Sequence, residues 1–119
     1  MLHHVSIEVH PDEVDACVEG WKMLGWEKLD APPEIAEYVT WLERKGTQVH
    51  LIHSEAPVIP QLGHSAVAVE DFEAAFEQLE EAGLEPERHQ ELWGQPRGFV
   101  VLPGGHRVEL MAAPPPPST

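Results

Sequence analysis

The stretch HHVSIEV, residues 3–9, sets the fold because polar and apolar side chains alternate strictly along it. Such alternation is typical of a β-strand that buries one face. Neighbouring residues on a strand point to opposite faces, so His3 and His4 are expected to face opposite ways. His4 falls on the polar side of the strand. The apolar side consists of Val5, Ile7 and Val9.

The order of elements that follows this strand occurs twice. Residues 11–25 have helical spacing and end in glycine, and three short strand candidates come next. The same order returns from GHSAVAVE, residues 63–70, and ends in PGGHRVELM. An offset of 60 residues relates His4 to His64, and an offset of 59 relates His50 to Glu109. The sequence therefore predicts an α+β fold of two βαβββ modules.

The repeat also predicts the domain organisation. We expect the first module at residues 1–53, a Pro-containing linker at 54–61 and the second module at 62–112. The Pro-rich residues 113–119 are expected to form an extended, poorly ordered tail. Because a repeat of this size needs its neighbour to bury its sheet, the two modules should form one domain.

The composition of the chain argues against several kinds of partner and location. The chain of 119 residues has 7 Lys and Arg against 21 Asp and Glu, a formal net charge of -14. Such a surface repels phosphate backbones and anionic lipids, which argues against nucleic acid and membrane partners. The single cysteine excludes an internal disulfide framework and fits a reducing cytoplasm. Neither a signal peptide nor a transmembrane stretch is expected.

Strand alternation predicts a cluster of metal-binding side chains. The residues away from the helix-covered face, at equivalent positions of the two repeats, are His4, His50, His64 and Glu109. Three imidazoles and one carboxylate suit a divalent ion of iron, manganese, cobalt, nickel or zinc. The lack of thiolate ligands argues against a closed structural zinc site. The other histidines, expected to be surface or turn residues, are His3, His10, His53, His89 and His106.

Further residues are candidates for substrate contacts. Glu8 shares the face of His4 and could act as a base, or it is a solvated carboxylate at the strand end. Arg97 and Arg107 could bind a substrate carboxylate or phosphate, or form ion pairs with acidic side chains at the surface. Trp93 and Tyr38 could line the apolar wall of a cleft, together with Trp41 and Phe99.

These segments resemble the vicinal oxygen chelate superfamily, which includes glyoxalase I, extradiol dioxygenases, methylmalonyl-CoA epimerase, and bleomycin and fosfomycin resistance proteins. HVSIEV with GTQVHLI, and GHSAVAVEDFEAA with PGGHRVELM, carry the resemblance, which extends from about Leu2 to Met111. It implies a cup-like, partly closed mixed sheet with the helices outside. It also implies that the metal ligands are His4, His50, His64 and Glu109.

The resemblance leaves the role of His50 open. Glyoxalase I members usually carry Glu at that position and the epimerases carry Gln. Extradiol dioxygenases and fosfomycin resistance proteins use two histidines and one carboxylate, which correspond to His4, His64 and Glu109. His50 is therefore a fourth ligand or a residue that faces the substrate.

Two functions follow as expectations. The first is a divalent-metal enzyme whose metal acts as a Lewis acid on a small substrate with chelating oxygens, while a carboxylate, Glu109 or Glu8, moves a proton. Lyase or isomerase chemistry fits this reading, and ring-cleaving oxygenation fits if the metal is Fe(II). The second is a metal-free protein of the bleomycin resistance type that sequesters a small molecule. A homodimer is expected, and the modules can pair within one chain or across two.

Overall fold

The computed structural model describes residues 1–118, and Thr119, the last residue of the predicted tail, lies outside the described residues. The first module consists of β1 His4–Val9, α1 Val14–Met23, β2 Glu27–Leu29, β3 Val39–Arg44 and β4 Thr47–His53. The second consists of β5 Ser65–Ala68, α2 Phe72–Glu81, β6 Glu87–His89, β7 Arg97–Val101 and β8 Arg107–Met111. A single 3-10 turn, Pro11–Glu13, precedes α1. The predicted α+β class with two βαβββ modules is confirmed.

Each module forms its own four-stranded mixed sheet. The strand orders are β1-β4-β3-β2 and β5-β8-β7-β6, so the two sheets have the same topology. In each sheet the first strand runs parallel to the last, and the other neighbours are antiparallel. The sheets are not joined to each other, and β1 and β5 are therefore edge strands.

Local sequence explains the boundaries of these elements. The hairpin between β3 and β4 turns at Lys45 and Gly46, which have φ of 49° and 88°. Positive φ at both central residues matches the twist of the flanking strands. Asp71 caps α2, since its side chain accepts a hydrogen bond from the backbone N–H of Ala74 at 3.0 Å.

One hydrophobic core extends through both modules. It includes Trp21 of α1 and Phe76 of α2. The turn between β7 and β8 packs against α1, because a Cβ built on Gly20 would lie 3.0 Å from the side chain of Leu102. Burial of the core therefore depends on contact between the modules.

His106 adds a polar connection between the modules. Its Nε2 donates a hydrogen bond to the backbone carbonyl of Glu8, at the end of β1, across 2.6 Å. His106 lies at the turn between β7 and β8, as one form of the prediction had it, but it is buried and not at the surface. Module packing covers that turn.

No helix among residues 1–118 is long and apolar enough to cross a membrane.

Candidate functional site

The first sheet carries a stack of three rings on its open face, the face that bears the polar side of β1. The rings of His4 and His50 are 4.0 Å apart between centroids and tilted by 17°. The ring of Trp41 lies on the other side of His50, at 4.4 Å and 9°. The stack forms because Trp41 of β3 pairs directly with His50 of β4, while β1 lies on the opposite flank of β4.

Hydrogen bonds hold the ring of His50 in place. Its Nε2 lies 2.7 Å from Oε1 of Gln48, and Gln48 in turn donates from Nε2 to Oε1 of Glu43 at 3.2 Å. Because the amide oxygen only accepts, His50 carries its proton on Nε2 and keeps a lone pair on Nδ1 when it is neutral. Burial, with a smaller contribution from the charges of His4 and His3, lowers the pKa of His50 below its usual value. His50 is therefore neutral near pH 7.

His3 does not face away from His4 as predicted. Nδ1 of His3 and Nδ1 of His4 lie 2.9 Å apart, and the two rings meet edge to face. The prediction is wrong because β1 begins at His4. His3 precedes the strand, so strand alternation does not determine where its side chain lies.

The second sheet holds Glu109 between a histidine and an arginine. Oε1 of Glu109 lies 3.2 Å from Nε2 of His64, and Oε2 accepts from Nε of Arg97 at 3.0 Å. Nδ1 of His64 lies 3.0 Å from the carbonyl oxygen of Leu62 and donates to it. Each carboxylate oxygen of Glu109 thus has its own neighbour, and the side chain is buried.

The bond from His64 to Leu62 restricts the chemistry of the pair. A neutral His64 that donates from Nδ1 has a lone pair on Nε2, and that lone pair points at another acceptor, Oε1 of Glu109. The contact is favourable if the ring is protonated on both nitrogens or if a cation binds both atoms. An Nδ1–H donated to a backbone carbonyl is the usual way in which a metal-binding histidine is oriented. Neighbouring ligands about 2.1 Å from a metal also lie about 3 Å apart.

Phe99 lies at the centre of the second open face, the face of the second sheet that carries Glu109. The edge of His64 meets its ring at 5.0 Å between centroids, and His89 meets it at 4.6 Å. The guanidinium of Arg107 lies 3.8 Å from the ring centroid, and that of Arg97 lies 5.5 Å from it. His89 was predicted to be a surface or turn residue, and its contact with Phe99 follows from the pairing of β6 with β7.

The remaining predicted site residues lie around these faces. Arg97 also donates from Nη1 to the carbonyl of Gln90 at 2.9 Å. Nε1 of Trp93, close to the Arg97 guanidinium, donates to the carbonyl of Ala113 at 2.9 Å. Tyr38 is exposed in the loop before β3.

Glu8 contacts the linker, and Cys17 is buried in the core. Oε1 of Glu8 accepts from the backbone N–H of Val58 in the linker at 3.3 Å. Burial raises the pKa of the Cys17 thiol to about 11. Cys17 is therefore a neutral core thiol and provides no thiolate ligand near pH 7.

A partly open pocket of about 500 Å³ lies between the modules. His64 stands at its wall beside β5, and the apolar part of the lining includes Trp21, Trp26 and Val67. Trp93 and Tyr38, which were predicted to line an apolar cleft, are not among its lining residues. Gln48 and His64 connect this pocket to the two open faces, whereas Trp41 and Phe99 do not line it.

Within one chain the four predicted metal ligands form two separate pairs. His4 and His50 lie on the first sheet, and His64 and Glu109 lie on the second. Among residues 1–118 there is no group of three or more His, Cys, Asp or Glu side chains placed to hold a metal ion. The lone pairs of an imidazole lie in the ring plane, so the stacked rings of His4 and His50 cannot both point at one ion without turning. Residues 1–118 of one chain, with their side chains in these positions, therefore do not form a complete metal site.

Comparisons with known proteins agree with the fold. The family model described as the Glyoxalase/Bleomycin resistance protein/Dioxygenase superfamily matches residues 3–110. A comparison with curated proteins found no match.

Solved structures with the same fold include a protein from Bacillus anthracis assigned to the glyoxalase family, with 20% identity, 93% of both chains covered and a TM-score of 0.81. The oxidase ChaP-H2 has 21% identity, covers 97% of this chain and 94% of its own, and has a TM-score of 0.74. A structure named lactoylglutathione lyase, from Agrobacterium tumefaciens, has 14% identity, covers 93% and 92%, and has a TM-score of 0.68.

Proposed function

Because the chain belongs to the Glyoxalase/Bleomycin resistance protein/Dioxygenase superfamily, we propose that it is a divalent-metal-dependent enzyme. Its substrate is a small molecule that presents chelating oxygen atoms, and its reaction is that of a lyase or isomerase. Ring-cleaving oxygenation is the variant of this proposal for Fe(II). The observation that carries the proposal is the contact between Nε2 of His64 and Oε1 of Glu109, 3.2 Å apart, which a cation bound to both atoms would stabilise.

We propose that the metal site is shared by two copies of the chain. The first sheet supplies two imidazoles and the second sheet supplies an imidazole and a carboxylate, a set that suits iron, manganese, cobalt, nickel or zinc. β1 and β5 are edge strands whose outer hydrogen-bonding groups are available for pairing with another chain. A homodimer that places β1 of one copy beside β5 of the other would bring His4 and His50 towards the partner's His64 and Glu109.

The metal and the residues around it would have different roles in the reaction. The bound metal would polarise a substrate oxygen and stabilise negative charge that develops on it. Glu109 could leave the metal and receive or deliver a proton through Oε1, while Arg97 holds Oε2 and keeps the carboxylate in place. Glu8 remains a second candidate base, and its contact with the backbone N–H of Val58 involves only Oε1.

A second candidate function rests on the ring stack. His4, His50 and Trp41 are stacked, and Gln48 orients His50, with no metal required for either contact. A flat aromatic surface of this kind could hold a planar small molecule, as expected for a metal-free binding protein of the bleomycin resistance type.

Metal analysis of protein purified without a tag or chelator separates the two functions. We expect about one equivalent of a transition metal per chain and a fall in melting temperature on chelation that metal add-back reverses. Glu109→Gln should weaken metal binding at least about tenfold, since the carboxylate charge is lost. Glu91→Gln, a change at an exposed loop carboxylate, should leave metal binding unchanged.

Two results would count against the metalloenzyme. One is less than about a tenth of an equivalent of metal together with a melting temperature that ignores chelator and added metal. The other is an unchanged metal affinity in Glu109→Gln, which would remove Glu109 from the ligand set. Sedimentation of the metal-loaded protein tests the shared site separately, because a monomer that binds metal fully would contradict it.

A further inference from the structure

The second open face contains an arginine without an acidic partner. The chain has seven Lys and Arg residues, and among residues 1–118 all but Lys28 and Arg107 have a carboxylate oxygen within 4.0 Å. With 21 Asp and Glu in the sequence, pairing is the normal condition of a cation in this chain. Lys28 is exposed on β2, whereas Arg107 is half-buried beside the proposed metal ligands.

The position of Arg107 relates it to Glu109. The two residues are on the same face of β8, two positions apart, which places their Cα atoms about 7 Å from each other. The guanidinium of Arg107 lies 3.8 Å from the centroid of Phe99, and the ring of His64 meets the edge of the same phenylalanine. The aromatic ring supports one face of the guanidinium and leaves the N–H groups along its edge available.

Arg97, the other arginine on this face, is already occupied. Its Nε donates to Glu109 and its Nη1 donates to the carbonyl of Gln90. Arg97 therefore positions Glu109, whereas the side chain of Arg107 makes no hydrogen bond to any residue from 1 to 118. The structure distinguishes two arginines that the sequence left equivalent.

We propose that Arg107 binds an anionic group of the substrate, a carboxylate or a phosphate, on the second open face. The proposal rests on the proposed function, because it assigns the charge of the substrate that the same site takes. A planar guanidinium supported by an aromatic ring matches the paired oxygens of either group. The reacting oxygens of the substrate would then lie within a few ångströms of its anionic group.

A rival explanation is a carboxylate of a second copy. The first open face carries Glu8 and Glu43 beside His4 and Gln48, and the proposed dimer would bring that face towards Arg107. In that case Arg107 would stabilise the dimer and would not bind substrate. The rival predicts that removal of Arg107 changes the oligomeric state.

Anion titration of chelator-treated protein tests the proposal. Inorganic phosphate and succinate are titrated separately at constant ionic strength, and binding is followed by the 1H–15N signals of the arginine Nε–H groups and by melting temperature. We expect saturable binding of at least one anion in the millimolar range, and the tighter one identifies the anionic group. Arg107→Gln should weaken this binding at least tenfold, and Arg107→Lys should weaken it less.

Lys28→Gln is the matched control, because it removes the other cation that has no carboxylate neighbour. It should bind the same anions as the wild type. The proposal is overturned if neither anion saturates the wild type, if Arg107→Gln binds as the wild type does, or if Arg107→Gln converts a dimer into a monomer. Since the titration is done without metal, anion binding by a chain that never takes up metal would overturn only the proposed function.

Discussion

At the scale of single residues, His50 occupies a place where its charged form is disfavoured. It is buried between His4 and Trp41, and burial is the main cause of its lowered pKa. Below the usual value of 6.5, the unfolded chain takes up a proton at this residue that the folded chain does not. The stability associated with neutral His50 is therefore complete above pH 6.5 and is lost as the pH falls towards the lower folded pKa.

This reasoning predicts that His50→Asn makes stability less dependent on pH. Between pH 6.5 and 5, the free energy of unfolding should fall less steeply in the variant than in the wild type. Urea denaturation at pH 8, 6.5 and 5 measures the difference, and the pH 8 value gives the cost of the substitution apart from protonation. Equal slopes in the two proteins would show that His50 titrates alike in the folded and unfolded chains.

Residues within regular strands could be placed from the sequence, whereas residues at strand ends could not. Alternation along β4 and β8 correctly predicted that His50 and Glu109 face away from the helices. His3 precedes its strand and His106 follows a turn, so no periodicity determines their surroundings. The role of Gln48 as the partner of His50 also escaped prediction, because an amide two residues along a strand has no distinctive sequence signal.

At the scale of elements, β6 depends on a close approach to Gly98 of β7. A Cβ built on Gly98 would lie 2.5 Å from the backbone carbonyl oxygen of Glu87 in β6. Backbone atoms cannot yield as a flexible side chain can, so a methyl group there must move the edge strand. β6 also carries His89 to the ring of Phe99.

We therefore expect Gly98→Ala to destabilise the protein by about 1–3 kcal/mol, the usual cost of overpacking. Val101→Ala changes an exposed side chain on the same strand and should cost within about 0.5 kcal/mol. Equilibrium denaturation gives both values, and amide hydrogen exchange should show faster exchange in β6 of Gly98→Ala. A Gly98→Ala protein as stable as the wild type would mean that β6 adjusts without loss.

The helices and strands could be predicted from the sequence because each of them occurs in both repeats. The three-residue strands β2 and β6 are the first of the three short strands predicted after each helix. The start of α1 was predicted less accurately. The predicted helix begins at residue 11, whereas residues 11–13 form a separate 3-10 turn and α1 begins at Val14.

At the scale of the whole molecule, Leu102 connects the two modules. It lies in the turn after β7, it is 1% exposed, and it packs against α1 at Gly20. A truncated side chain there should leave a cavity between the modules rather than within one of them.

Leu102→Ala is accordingly expected to cost about 2–5 kcal/mol and to lower the stability of the whole chain in one transition. Leu92→Ala, at an exposed leucine, should change stability by less than about 0.5 kcal/mol. Thermal unfolding followed by calorimetry, and in parallel by circular dichroism, measures both effects. Two separate transitions in Leu102→Ala would show that the modules fold independently.

The two modules were predicted correctly, but the expected single, partly closed sheet was not, because each module forms a separate, open four-stranded sheet. Alternation along β1 and β5 is the same whether their open faces meet within a chain or across two chains, so the pattern carries no information on pairing. The packing of Leu102 on α1 depends on contact between residues about eighty positions apart.

The division of the proposed ligands between two sheets has a consequence for mixtures of damaged chains. One chain with a defect at His4 and another with a defect at Glu109 would each form homodimers with two impaired centres. If two copies share each centre as proposed, a heterodimer of the two would collect both defects in one centre. The other centre would receive His4 and His50 from the second chain and His64 and Glu109 from the first. Two inactive alleles of this protein would thereby complement each other, whereas a site built within one chain would give no such rescue.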